Sequence, residues 1–101
     1  MGLKRGEVEF LTVVVKPASE IRALGPYTDD LIVQVQSNEY SGVFIGTKRT
    51  AVRRGDNRAQ IYNWHARRFP LGKGQILWIR NEGKQSNAEV NLEYWLAGGP
   101  V

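Results

Sequence analysis

Seven cations crowd into residues 48–68: Lys48, Arg49, Arg53, Arg54, Arg58, Arg67 and Arg68, against a single acid, Asp56. Tyr62 and Trp64 lie among them and Phe69 follows directly. Cations that neutralise phosphates beside aromatic faces that stack on bases are the ingredients of a nucleic-acid surface. The same charges suit a different task, matching an acidic protein surface. The whole chain carries only +4, less than this segment alone, so the basic character is local. Strand alternation sends Arg53 and Arg54 to opposite faces, which breaks a phosphate track and favours protein contact. Glu89 and Glu93, repeating on one face of a later strand, are acids such a segment can meet within the chain or on another copy.

Catalytic chemistry has less to work with. The one histidine, His65, has no second histidine or carboxylate at metal-ligand spacing and reads as an ordinary strand-end residue. The acid pairs Glu7/Glu9 and Glu89/Glu93 repeat on strand faces and Asp29-Asp30 heads a strand, all positions where solvated carboxylates are expected. No dinucleotide, phosphate-loop or nucleophile-elbow motif occurs. The chain has no cysteine, which excludes disulfides, thiolate zinc and iron–sulfur clusters. The expectation is a protein that is not an enzyme and has no cofactor or metal.

"RGD" at residues 54–56 matches a cell-adhesion tripeptide, but Gly-Asp-Asn is also favourable turn chemistry. Alternating residues on both sides make it a hairpin tip flanked by Arg53, Arg54 and Arg58.

Ten aromatics remain to be placed. Most fill a thin core. Trp95, however, is out of phase with Leu92, Tyr94 and Leu96, and Trp78 alternates against Leu77 and Ile79. Either those strands are covered on both faces or a tryptophan is exposed for a partner. The contact residues expected on this basis are Trp95, Trp78, Trp64 and Tyr62, beside a basic surface of Arg49, Arg53, Arg54, Arg58, Arg67 and Arg68. A stacking platform for sugar or nucleic acid is the competing use of the same rings.

The elements that must position these groups read as all-β. Period-two alternation rich in β-branched residues is punctuated by Gly, Asn and Asp. Strands are expected over residues 7–16, 29–36, 43–45, 49–54, 59–65, 75–81 and 88–96. The first, "EVEFLTVVVK", is apolar on both faces in its second half, which predicts cover by the core on one side and by a neighbour on the other. Residues 16–27 break the pattern; Ser19 is placed to cap a single helical turn that turns Ile21 and Leu24 inward. Residues 66–74 read as a loop. About seven short strands predict a single antiparallel β-sandwich, jelly-roll or immunoglobulin-like, with a small barrel as runner-up.

With 42% hydrophobic and 24% charged residues, the composition is that of a folded globular chain. The longest apolar run, residues 11–15, is far short of a membrane span, and no targeting signal is read. One domain over residues 1–101 is expected, with a mobile arm at 1–6 and a mobile tail at 97–101.

The C-terminal third, "FPLGKGQILWIRNEGKQSNAEVNLEYWLAGG", resembles the closing hairpin of small jelly-roll or immunoglobulin-like sandwiches. With the cysteine-free, motif-free composition, the chain is similar in pattern to the decoration or cement proteins of tailed-bacteriophage virions. That resemblance implies a structural protein of a virion that binds capsid or shell subunits and other copies of itself through apolar anchors and edge strands. No membrane role is expected, and a location outside the virion would be the cytoplasm. The alternatives are a nucleic-acid-binding sandwich using residues 48–68 and a carbohydrate-binding sandwich using an exposed tryptophan.

Overall fold

Alternation decides which way each strand faces. The computed structural model describes residues 4, 6–37, 43–49, 59–61 and 65–98. Within them are eight strands: β1 (Glu9–Val15), β2 (Ser19–Leu24), β3 (Leu31–Ser37), β4 (Val43–Gly46), β5 (Ala59–Ile61), β6 (Ala66–Leu71), β7 (Leu77–Asn81) and β8 (Ala88–Leu96). Leu31, Val33 and Val35 of β3 point into the core and are essentially inaccessible, as are Ala88, Val90 and Leu92 of β8. Ile79 of β7 and Val43 and Ile45 of β4 meet them from the facing layer. The polar residues between them, Gln34, Asn91 and Glu89 among them, face outward.

The strands form two four-stranded sheets, β1-β8-β3-β6 and β2-β7-β4-β5. All pairings are antiparallel. Only β4 and β5 are both consecutive and paired; every other connection crosses to the opposite sheet. That order is the double-sheet jelly roll. The sandwich expectation therefore holds, and neither the immunoglobulin-like arrangement nor a closed barrel describes it.

Two expected non-strands are strands, each for a local reason. Residues 19–24 form β2, not a helical turn, pairing Ser19 with Asn81 and Leu24 with Leu77. A β-bulge between Arg22 and Leu24 shifts the register. The extra residue gives Ile21 and Leu24 a spacing of three that looks helical in sequence. Ser19 caps nothing: its hydroxyl donates back to the Lys16 carbonyl at 2.7 Å. Residues 66–71 form β6, with Phe69 opposite Val33 and Leu71 opposite Leu31. Pro70 made this segment read as a loop, but β6 is the last strand of its sheet, where a missing N–H is tolerated. The expected strand at 49–54 and the "RGD" tip lie outside the described residues beyond Arg49, as do residues 1–3 of the expected arm and 99–101 of the tail.

One buried polar side chain ties the strand ends together. Asn81 is inaccessible, and its amide donates to the carbonyls of Val15 at 3.1 Å and Ser86 at 2.8 Å. Its Oδ1 accepts the Gly83 N–H at 2.8 Å. The end of β1 and the turn from β7 to β8 are thus held by a single residue, all of whose groups are paired.

Candidate functional site: an open strand edge and the cleft behind it

β1 and β6 are the two edges of one sheet. β1 is fixed to β8 over its whole length, from Glu9 opposite Tyr94 to Val15 opposite Ala88. Among the described residues no strand pairs with its other edge. Its outward side chains are Phe10, Thr12 and Val14, with Phe10 70% and Val14 54% exposed. No other large hydrophobic residue described is exposed to this degree. The neighbouring row on β8 is polar: Glu93 beside Phe10, Asn91 beside Thr12, Glu89 beside Val14. The Thr12 hydroxyl donates to Asn91 Oδ1 at 2.8 Å, which fixes the centre of this face.

Behind β1, where its sheet separates from β2 of the other, opens a cleft of about 260 Å³. Leu11 and Leu24 form apolar walls, Tyr27 and Tyr94 contribute phenols, and the chain from Arg22 to Gly25 completes the lining. The two phenol rings lie 6.0 Å apart at 47°. Burial, helped by the Tyr27 hydrogen bond and the Glu9 carboxylate, pushes the Tyr94 hydroxyl up to about 12. Gly25 completes the wall, and no other residue fits there, since a Cβ would sit 2.5 Å from the Gln75 carbonyl oxygen with φ at +88°.

The expected contact residues are divided by the fold. On the outer face of the β2-β7-β4-β5 sheet, Trp78 is half-buried, with Arg22 and Gly46 as its register neighbours and the Arg49 guanidinium 5.6 Å from its ring. Arg49 is held by Glu20 at 3.2 Å, and the same carboxylate takes Arg80 at 2.6 Å. The Glu20 side chain is only 3% exposed, and Arg80 is also held by Glu82 at 3.2 Å, so both Arg49 and Arg80 have carboxylate partners. Arg67 and Arg68 lie on β6 of the other sheet. Arg68 binds Gln34 Oε1 through two nitrogens, at 3.2 and 2.9 Å, and its guanidinium covers the Trp95 ring at 5.1 Å.

Trp95, expected as an exposed anchor, is only 4% exposed although it lies on the outer face with Ile32 as its register partner. It belongs to the folded body. Arg49 and Arg67/Arg68 are therefore on different sheets and do not form one basic surface. Arg53, Arg54, Arg58, Tyr62 and Trp64 lie outside the described residues. His65 is exposed, and among the described residues no three His, Cys, Asp or Glu side chains gather as metal ligands. No described helix is long and apolar enough to cross a membrane.

Phe10 and Val14 were missed as anchors because their strand reads as core. The available signal was the apolar character of both its faces, which already called for a neighbour. No protein-family model matches the chain, and no match is found among curated proteins or solved structures.

Proposed function

We propose that this protein is a non-enzymatic assembly component that acts by protein–protein contact through the β1 edge, as a capsid decoration or cement subunit of a virion. The observation that carries the contact role is a seven-residue edge strand, EFLTVVV, with no proline and no cation inside it and two large exposed apolar side chains. Isolated proteins blunt such edges because they pair with other chains; an edge left unblunted is a place where pairing is used. The virion placement rests on analogy: eight-stranded jelly rolls build viral shells, though lectin domains and cupins share the architecture.

Particles banded from the source and analysed by peptide mass spectrometry are expected to hold this chain at a fixed ratio to the major shell protein. Substituting Phe10→Asp should lower that ratio. Recovery of the chain only in the unassembled fraction contradicts the virion role.

A second reading is favoured by the Trp78 face, where an indole with an exposed Arg22 on one flank and side-chain-free Gly46 on the other can stack on a base or a sugar. A DNA titration over a salt series tests it. Affinity falling steeply with salt, and lost in Trp78→Ala, supports nucleic-acid binding. Negligible binding at low salt removes it.

A further inference from the structure

From the pattern of β1 we infer that its partner is a second copy of itself, joined antiparallel across a two-fold axis through Thr12, so that the two β1-β8-β3-β6 sheets run on as one eight-stranded sheet. This rests on the contact role proposed above and names the partner.

Charge sets the direction. The strand is entered through Glu7 and Glu9 and left through Lys16. Antiparallel pairing brings each acidic start beside the other's Lys16, whereas parallel pairing stacks like charges. Two antiparallel copies of one strand are related by a two-fold, the commonest symmetry of homo-oligomers.

Side-chain faces set the register. With Thr12 opposite Thr12 of the second copy, Phe10 meets Val14 and Val14 meets Phe10 on the outer face. On the inner face Leu11 meets Val13 and Val13 meets Leu11. From Phe10 to Val14 each residue then faces one of its own kind, and a one-residue slip would set apolar against polar faces. Lys16 of the second copy falls opposite Val8, between Glu7 and Glu9 in the chain. On the outer face the rows read Glu93, Phe10, then Val14 and Glu89 of the second copy, by the observed β1–β8 register. The carboxylates stand at the ends of each row, about 14 Å apart across three strand spacings, and apolar side chains fill the centre. Asn91 and Thr12 supply the polar row through the axis.

The same pairing accounts for the cleft. Leu11 lines it and points inward beside the free edge of β1. Val13 of the second copy, opposite Leu11, faces the same side and closes over that mouth.

The absence of native cysteine allows a direct test. Residues opposite each other in an antiparallel ladder lie roughly 4.5–5.5 Å apart at Cα, within disulfide reach. The full chain carrying Thr12→Cys, oxidised at micromolar concentration, is expected to form a covalent dimer at least about tenfold faster than Thr47→Cys, an exposed site in the bend that follows β4 of the other sheet. Sedimentation equilibrium of the native chain is expected to show a dimer that Phe10→Asp weakens on the order of 100-fold, the size of an interface hot spot. Equal cross-linking at the two positions, or a native chain that stays monomeric throughout, overturns the inference. If the chain stays monomeric yet Phe10→Asp still lowers its ratio in banded particles, self-pairing falls and the contact role of β1 stands. If Phe10→Asp changes neither, both fall.

Discussion

The two edges of the β1-β8-β3-β6 sheet are built on opposite principles. β6 carries Pro70, which cannot donate to a further strand, and Arg67 and Arg68, whose burial against another chain would be costly. Arg68 is also engaged at home, over Trp95 and against Gln34. β1 has none of these devices and exposes Phe10 and Val14 instead. One edge is closed by its own side chains and the other is left open. The same fold thus contains its own control for the proposed contact role, because the devices that discourage pairing at β6 are missing at β1.

The largest effect should come from what holds the open edge in place. Asn81→Ala strands the Val15 and Ser86 carbonyls and the Gly83 N–H in a buried site. A cost of about 3 kcal/mol is expected. For a domain of this size that is a fall of roughly 15 °C in Tm by calorimetry. An unchanged Tm would mean that β1 is anchored otherwise.

Next is Phe10→Asp, expected to leave the Tm of the monomer within about 2 °C, since an exposed side chain contributes little to folding. Association should fall steeply all the same. A large loss of stability with unaltered association would turn the comparison around and make Phe10 a structural residue.

The closed edge offers the converse change. Pro70→Thr restores an N–H on β6, and self-association by light scattering is expected to rise several-fold as a second pairing edge appears. No change would show that Pro70 is not what protects β6.

The smallest effect is a pH dependence behind β1. Because the folded state raises the Tyr94 hydroxyl from 10.0 to about 12, it favours the protonated form. That contribution to stability is fully present below pH 10 and is lost as pH climbs from about 10 to 12. Denaturant midpoints followed across that window should decline, and Tyr94→Phe should flatten the decline.

β3 and β8 were legible because strict alternation leaves one reading for a half-buried strand, and seven residues each of "LIVQVQS" and "AEVNLEY" keep it. β2 was not, because a bulge inserts a residue and turns a strand's period of two into an apparent helical three. β6 was hidden by Pro70, which argues against a central strand and says nothing against an edge. The site was less legible than the fold. Trp95 was out of phase as read, but its phase does not disclose that Arg68 covers it. Arg49, Arg67 and Arg68 are neighbours in sequence charge and are parted by a crossover between sheets. Phe10 and Val14 matter because of where β1 lies in the sheet order, which only long-range pairing reveals.

The proposed pairing edge is β1 and not β6. Amide hydrogen exchange of the native chain at low and high protein concentration tests it residue by residue. The amides of β1 that do not bond to β8 should slow as concentration rises, while those on the outer side of β6 keep their rate. Unaltered β1 exchange, or slowing confined to β6, contradicts the claim.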